Sequence, residues 1–256
     1  MGRGNCVAGL CLLILPVLCQ ATMITTIYDA SLGTLPQAQG FTANIDSHIT
    51  PSISGGILEV NAYSGGVDSR PGYYTGENGT FLLDSFVMAA DLQIIQSTQY
   101  GSPGNCCYPR AGFDLTATDN SGRAIQLDIT ENGLWLATSD GTAINPPTTA
   151  FYTFNTTDAF HDYRVEGDGT ALRLYIDHSS TAALTFSFGS LQVASGATHS
   201  SFDFGDSSIL ARSDYKLKYA LFSSDVEASV APEPGTFALI PAAGLAFWLA
   251  RRRKRA

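Results

Sequence analysis

Short stretches of alternating apolar and polar residues fill the chain between residues 22 and 231. The longest of them spans residues 81 to 97, and its apolar residues recur at every second position: Phe86, Met88, Ala90, Leu92 and Ile94. A period of two is typical of a β-strand that buries one face. The region contains no amphipathic helical pattern longer than two turns, so the pattern predicts an all-β domain.

Turn-forming residues divide these stretches into hairpins. The segments 111–118, 123–130 and 134–138 are separated by Asp119-Asn-Ser-Gly122 and Glu131-Asn-Gly133, both rich in the residues that hairpin turns require. A third hairpin joins residues 160–166 to 171–177 through Gly167-Asp-Gly-Thr170. Three hairpins in one chain predict an antiparallel sheet arrangement.

Other segments complete the predicted domain. Residues 23–28 and 56–63 are predicted strands, whereas 29–39 and the glycine-rich segment 64–78 are predicted loops. The predicted fold is a two-sheet antiparallel jelly-roll sandwich of about twelve to fourteen strands. It occupies residues 22–227 as a single domain, and a linker follows at 228–231.

The two ends of the chain have a different composition. One cation, Arg3, precedes an apolar segment, and Cys19-Gln20-Ala21 has the small residues of a signal-peptidase site, so residues 1–21 are predicted to form a signal helix cleaved after Ala21. At the other end, the uncharged run 236–250 predicts a transmembrane helix. It is followed by a basic stop: Arg251, Arg252, Arg253, Lys254 and Arg255.

Pro232-Glu233-Pro234, directly before the apolar run, changes the interpretation of this C-terminal segment. The order of Pro-Glu-Pro, apolar run and arginine cluster over residues 232–256 resembles the PEP-CTERM sorting signal of Gram-negative bacteria. The resemblance implies export by the Sec machinery, transient anchoring in the inner membrane, and processing by an exosortase. The mature protein would then reach the cell surface or the extracellular matrix. An ordinary tail anchor is the alternative interpretation.

Two other groups of residues resemble a known fold family. These are His161-x-Tyr-Arg-Val with Leu172-x-Leu-Tyr-Ile-Asp177, and Phe202-Asp-Phe-Gly-Asp206 followed by Asp214-Tyr-Lys-Leu-Lys-Tyr-Ala-Leu-Phe222. Both are similar to segments of concanavalin A-like domains of the laminin-G and legume-lectin type. This resemblance implies a lectin-like sandwich and a carbohydrate ligand, such as an extracellular polysaccharide.

Charge narrows the classes of partner. Of 14 Lys and Arg, six lie in the two end segments, and of 23 Asp and Glu, only Glu233 does, so residues 22–231 carry 8 minus 22, or −14. A strongly acidic surface repels nucleic acid and anionic lipid headgroups, because affinity for both depends on cationic side chains. Neutral glycans, divalent cations and basic partners remain. The membrane is expected to be contacted only through the C-terminal segment.

The cysteines leave the fold without an obvious disulfide. Three of five lie in the predicted signal segment, and only the adjacent pair Cys106-Cys107 remains. Adjacent cysteines join each other only with strain. Cross-linking to another chain, binding of a soft metal, and an inert or internally oxidised pair are the three alternatives.

The glycosidase-like segment of the sequence argues against an enzyme. Gln126-Leu-Asp-Ile-Thr-Glu131 is similar to the Glu-x-Asp-x-x-Glu strand of concanavalin A-like glycoside hydrolases, with Gln126 at the position of the nucleophile. An amide forms no glycosyl intermediate. We therefore expect no catalytic residue. An extracellular glycoside hydrolase or lyase and a purely structural biofilm protein are the alternatives to an adhesive or glycan-binding role.

Candidate ligand contacts are aromatic or acidic. Tyr73, Tyr74, Tyr108 and Trp135 could stack on sugar rings, although core packing is the competing explanation for Trp135. No cofactor is expected. If calcium binds, the candidate ligands are Asp119, Asp203 and Asp206, with turn formation as the competing role.

Overall fold

The computed structural model describes residues 23–62, 72–76, 80–97, 112–138, 144, 151–193, 200–206 and 212–225. The predicted signal segment with Ala21, the linker, the sorting segment 232–256, Tyr108 and Cys106-Cys107 lie outside these residues. Within the described ranges, no helix has the length and apolar composition needed to cross a membrane.

Sixteen strands make up the described part of the chain. Their bounds are β1 Met23–Asp29, β2 Thr42–Ile45, β3 Ser52–Ser54, β4 Ile57–Asn61, β5 Gly72–Gly76, β6 Phe86–Ser97, β7 Phe113–Thr118, β8 Arg123–Thr130, β9 Gly133–Ala137, β10 Phe151–Thr153, β11 His161–Gly167, β12 Ala171–Ile176, β13 Leu184–Ser187, β14 Gln192–Val193, β15 Ser201–Asp206 and β16 Ser213–Asp225. Three short 3-10 turns accompany them, at Ala30–Leu32, Pro36–Gln39 and Phe188–Ser190.

The strands form two antiparallel sheets. Sheet I has the order β13-β12-β11-β6-β16-β4-β3, with β1 also paired to β16, and sheet II has the order β10-β9-β8-β7-β15-β5-β2, with β14 also paired to β8. The central strands of sheet I are β4, β16 and β6. The strands next to them along the chain, β5, β15 and β7, lie in the same order at the centre of sheet II. The chain therefore passes repeatedly between the sheets, as in a jelly roll. The predicted all-β two-sheet sandwich is confirmed.

Alternation along the strands builds the core between the sheets. Phe86, Met88, Ala90, Leu92 and Ile94 of β6 are all buried, as their period of two predicts. In sheet II, β15 contributes Phe204, whose ring packs against those of Tyr28, Phe41 and Tyr74. Burial of such side chains contributes roughly 1.5–3 kcal/mol each. The core extends from Tyr28 to Phe222, so residues 22–227 contain all of it that the structure describes.

The three predicted hairpins are confirmed. β7 pairs with β8, β8 with β9, and β11 with β12. The prediction of a loop over residues 64–78 is wrong for residues 72–76, because β5 lies there and pairs with both β2 and β15. The glycines of this segment indicated a loop, but Gly76 in β5 serves packing, because a Cβ there would approach Phe41 Cε1 to 2.9 Å.

The turn between β7 and β8 is held by Asp119, whose side chain is buried. One carboxylate oxygen accepts from the backbone N–H groups of Ser121 and Arg123, and the other from Leu83 N–H. Arg123 Nε also donates to this carboxylate at 2.8 Å. Burial alone would raise the pKa of Asp119, but the hydrogen bonds from Leu83, Ser121 and Arg123 outweigh it and lower the pKa.

Replacement of this carboxylate should destabilise the domain. In Asp119→Asn an amide would face several N–H donors, and we expect the free energy of unfolding to fall by about 2–4 kcal/mol. The lowered pKa means that the carboxylate stabilises the fold above its unfolded value of 3.8 and loses this effect as the pH falls further. The difference between wild type and variant, measured by chemical denaturation, should therefore shrink below about pH 4.

Asp84→Asn is the matched control. Asp84 is exposed and contacts the same Arg123 at 2.6 Å, so its replacement should cost less than about 1 kcal/mol. Equal losses in the two variants would contradict the structural role assigned to Asp119.

Candidate functional site

The outer face of sheet II carries a row of side chains that crosses seven strands. Cross-strand register places them side by side. We call these residues the Asp114 row: Asn44, Tyr73, Gly205, Asp114, Asp128, Trp135 and Phe151. They point outward because their strand neighbours, such as Tyr74, Leu115 and Leu127, belong to the core.

A second row runs beside the first. The same pairings align Thr42, Thr75, Asp203, Thr116, Gln126 and Ala137, which we call the Gln126 row. Thr75, Asp203, Thr116 and Gln126 are half-buried. The two rows together place hydroxyl, amide, carboxylate and aromatic groups on one side of the sheet, where some members are buried and others are exposed or half-buried.

Two carboxylates lie directly opposite each other in the Asp114 row. Asp114 on β7 pairs with Asp128 on β8, and their exposed fractions are only 1% and 2%. Gln126 Nε2 donates to Asp128 at 2.8 Å, and Thr116 Oγ1 donates to Asp114 at 3.3 Å. Directly opposite like charges destabilise a sheet. Two buried carboxylates that face each other on neighbouring strands make this part of the row a candidate functional site.

The predicted aromatic contacts divide between this face and the core. Trp135 lies in the Asp114 row, 5% exposed, and packs against Ala137 and Phe151. Tyr73 is half-buried, and its hydroxyl accepts a hydrogen bond from Asn44 Nδ2 at 2.6 Å. Tyr74 as a ligand contact is wrong, because it points to the opposite side of β5 and is fully buried. Adjacent strand residues face opposite sides of a sheet, so only one of the two tyrosines can be outside.

Gln126, Asp128 and Glu131 of the glycosidase-like segment do not form one site. Gln126 and Asp128 lie on the outer face of sheet II, but Glu131 is in the following turn. Its carboxylate accepts from Ser97 N–H at 2.6 Å, and its own N–H donates to the Ser97 hydroxyl at 3.0 Å. Glu131 thus ties this turn to the end of β6.

The carboxylate that does face Asp128 is Asp114, which the sequence analysis missed. The hairpin tip Asp119–Gly122 was predicted correctly, and counting outward from it along both strands would have paired the two aspartates. The signal was therefore present in the hairpin register.

The calcium candidates are not brought together. Asp203 points outward from β15, whereas Asp206 lies on the inner side with Phe202 and Phe204. Asp119 lies near the start of β15, because the preceding residue, Thr118, aligns with Ser201. Asp206 is at the other end of this strand. Among the described residues, no group of three or more His, Cys, Asp or Glu side chains has a metal-binding arrangement.

A second cluster of titratable side chains consists of His161, Asp158 and Asp177. His161 begins β11, and its Nδ1 lies 2.8 Å from Asp177 while its Nε2 lies 3.0 Å from Asp158. The ring also packs edge-on against Phe154. Burial lowers the pKa of His161, but the hydrogen bonds and charges of Asp158 and Asp177 outweigh it, and the net pKa is raised.

Comparison with known proteins yields similarity in structure only. No family model and no curated protein matches the chain. A carbohydrate esterase of the Shiga toxin-encoding bacteriophage phi24B matches with a TM-score of 0.50 and 13% identity, covering 80% of this chain and 100% of the other.

Two further solved structures are similar at lower scores. A protein of unknown function from Shewanella oneidensis MR-1 has a TM-score of 0.49 and 14% identity, covering 83% of this chain and 90% of the other. The VIP36 exoplasmic/lumenal domain, bound to Ca²⁺ and Man3GlcNAc, has a TM-score of 0.38 and 10% identity, covering 75% and 85%.

These similarities concern the fold alone. At 13% identity, the phage esterase shares an architecture with this chain, and the two weaker similarities carry no argument of their own. The strand order is that of a jelly roll, the fold that the sequence predicted. The described chain is thus an all-β, two-sheet antiparallel sandwich.

The His161 contacts generate a pH prediction. Because the folded pKa lies above the unfolded value of 6.5, the stabilisation is complete below pH 6.5 and is lost as the pH rises through the folded pKa. Both carboxylates are half exposed, so screening limits the effect to on the order of 1 kcal/mol. Relative to His161→Gln, the wild-type chain should lose its advantage in unfolding free energy above neutral pH.

His178→Gln serves as the control, since that ring is largely exposed and lies 3.4 Å from Asp162. If the difference in unfolding free energy between wild type and His161→Gln stays constant between pH 5.5 and 9, His161 stabilises the fold by packing alone.

Proposed function

We propose that the sandwich is a lectin-like domain that binds extracellular polysaccharide on the outer face of sheet II. The observation that carries this proposal is the Asp114 row together with the Gln126 row. Their members combine ring surfaces with hydroxyl, amide and carboxylate groups, which are the groups that contact the apolar and hydroxyl-bearing sides of a sugar. The similarity in fold to a carbohydrate esterase supports a test with polysaccharides.

The shape of the surface favours an extended ligand. Seven strands at about 4.8 Å spacing give the Asp114 row a length of roughly 29 Å. The accessible members are Asn44, Tyr73 and Phe151, with the Gln126 row beside them, whereas Asp114 and Asp128 are buried. In this arrangement the accessible groups contact the glycan, and the buried carboxylates orient Thr116 and Gln126.

Export completes the proposal. The sequence features at the two ends support delivery by the Sec machinery, transient anchoring through 236–250, and release by an exosortase at Pro232-Glu233-Pro234. The protein would then act as an adhesive or matrix-associated component outside a Gram-negative cell. The acidic charge of residues 22–231 suits a soluble extracellular domain.

A second candidate function, glycoside hydrolysis, is favoured by one observation. Asp114 and Asp128 are directly opposite on neighbouring strands. Retaining glycosidases place two carboxyl groups about 5–5.5 Å apart, and Cβ atoms of directly opposite residues are about that far apart. We favour binding without catalysis, because both carboxylates are buried and the position of the predicted nucleophile is an amide, Gln126.

Binding should depend on the accessible members of the two rows. We expect Tyr73→Ala and Gln126→Ala each to weaken binding of the full chain to its host's extracellular polysaccharide by about ten-fold, the equivalent of 1.4 kcal/mol. Each variant loses a contact to the glycan and leaves the core intact. Affinity electrophoresis in gels containing the polysaccharide measures the effect.

Leu32→Ala is the control, since Leu32 is exposed in the 3-10 turn Ala30–Leu32 and lies in neither sheet. Equal retardation of all three variants and the wild type would remove sheet II as the binding face. Release of reducing sugar by the wild type but not by Asp114→Asn or Asp128→Asn would establish the hydrolase instead.

The sorting proposal is tested separately. Residues 228–256 fused to an exported reporter should anchor the reporter in the inner membrane, and an exosortase-bearing host should release it. Replacing Glu233 with Ala should leave the fusion anchored but unprocessed, because only the recognition motif is changed. A reporter that is neither anchored nor shortened would overturn the sorting proposal and leave the binding proposal unaffected.

A further inference from the structure

A polar cleft of about 350 Å³ lies on the outer face of sheet I, on the other side of the molecule from the Asp114 row. Its lining includes Ser85, Val87, Glu166, Asp168, Arg173 and Ser223. Register explains the shape. Arg173 on β12 aligns with Glu166, Glu166 with Val87, and Val87 with Ser223. Two long charged side chains therefore form one wall beside a floor of two small residues.

The charges around the cleft balance. Arg173 Nη1 lies 2.6 Å from Asp168 Oδ2, and Arg164 Nε lies 3.1 Å from Glu166 Oε1. Two guanidinium groups thus offset two carboxylates. A ligand with a net charge of either sign would have to compete with one of these ion pairs. The charge balance therefore favours an uncharged ligand.

The cleft wall is preorganised. Asp168 accepts hydrogen bonds from the backbone N–H groups of Thr170 and Ala171 through its other oxygen, so the β11–β12 turn holds the carboxylate that orients Arg173. The hydrogen bond from the Thr170 hydroxyl, the one from Arg173 and these two backbone bonds lower the pKa of Asp168, which stays ionised at neutral pH. A guanidinium has five N–H groups in a fixed plane, and the contact to Asp168 engages only one edge.

The floor differs from the wall in chemistry. Val87 presents methyl groups at the centre, and the hydroxyl of Ser223 lies next to it, within 3.3 Å of the Thr25 hydroxyl. The neighbouring Ser224 hydroxyl donates inward to the carbonyl of Leu82. The cleft thus combines a donor and an acceptor on one wall with a floor that carries methyl groups and a hydroxyl.

We propose that this cleft is a second carbohydrate site, which binds one or two uncharged sugar rings. The C–H side of a ring would lie on Val87, and its hydroxyls would bond to Glu166, Arg173 and Ser223. The volume is near the lower end of the roughly 300–1,000 Å³ typical of ligand sites, so the cleft suits a chain end or a short segment. The surface of sheet II, in contrast, is long enough for an extended glycan.

One consequence rests on the proposed function of sheet II. If both outer faces bind glycan, one domain bridges two polysaccharide segments held on opposite sides of the sandwich. Linked sites raise avidity without any new contact. The cleft itself does not depend on sheet II.

The test uses the full chain and cellobiose as the neutral probe, observed by saturation-transfer NMR. The comparison is made in the Tyr73→Ala background, which weakens the sheet II surface. In that background Arg173→Gln and Ser223→Met should each reduce the saturation transfer to cellobiose at least five-fold. Arg173→Gln removes the oriented guanidinium, and Ser223→Met fills the cleft from a different strand. The second variant keeps the test valid if the first one fails to fold.

Lys216→Gln is the matched control, because Lys216 lies on the same outer face and its ion pair with Glu59, at 3.0 Å, is lost in the same way. It should leave the transfer unchanged. Glucosamine and glucuronate should give weaker transfer than cellobiose, as the balanced charges require. The proposal is overturned if cellobiose shows no transfer in Tyr73→Ala, if Arg173→Gln and Ser223→Met retain full transfer, or if a charged sugar is preferred. Loss of transfer in Tyr73→Ala alone would locate binding on sheet II and leave the proposed function standing.

Discussion

The pairing of β6 with β16 is the interaction on which the other elements of the sandwich depend. β16 runs beside β6 from Ser97 to Phe86 and pairs on its other edge with β4 and then β1. β1 is the first described strand and β16 is the last, so their pairing joins the two ends of the domain. Two irregularities, next to Asp214 and around Lys218, let this strand of 13 residues follow the twist of its neighbours. β11 then extends the sheet from the other edge of β6. Because these contacts are distant in the sequence, the sheet forms only when most of the domain does.

The alternation that builds the core also determines what each outer face can do. Every second residue of the central strands is apolar and lies between the sheets, which leaves the remaining side chains to form two different surfaces. On sheet I, cations lie next to carboxylates, as in the contacts of Lys218 with Asp91 and of Lys216 with Glu59. On sheet II, two buried aspartates are opposite each other in a row that includes aromatic rings. The faces therefore suit different ligands although a single pattern produces both.

The hairpins and β5 differ in how much of their structure can be predicted from the sequence. The β7–β8, β8–β9 and β11–β12 hairpins were predicted because each turn lies between the two strands it joins, and its Gly and Asn residues mark it. β5 was missed because its glycines leave room for Phe41 and Ile49, which come from distant parts of the chain. Tyr73 and Tyr74 were indistinguishable as neighbours in a supposed loop. As members of a strand they separate, one to the surface and one to the core.

By itself, the sequence determined the class of the domain, its hairpins and the buried face of its longest strand, because a period of two and turn residues are properties of neighbouring positions. It also carries the features at both ends on which the export proposal depends. Only the tertiary structure decided which residues share a surface, because that depends on the register between strands far apart in the chain. It placed Asp114 opposite Asp128, moved Glu131 away from both, and separated Asp203 from Asp206 on the two sides of one strand. Local patterns identify strands, but the pairing of distant strands assembles a site.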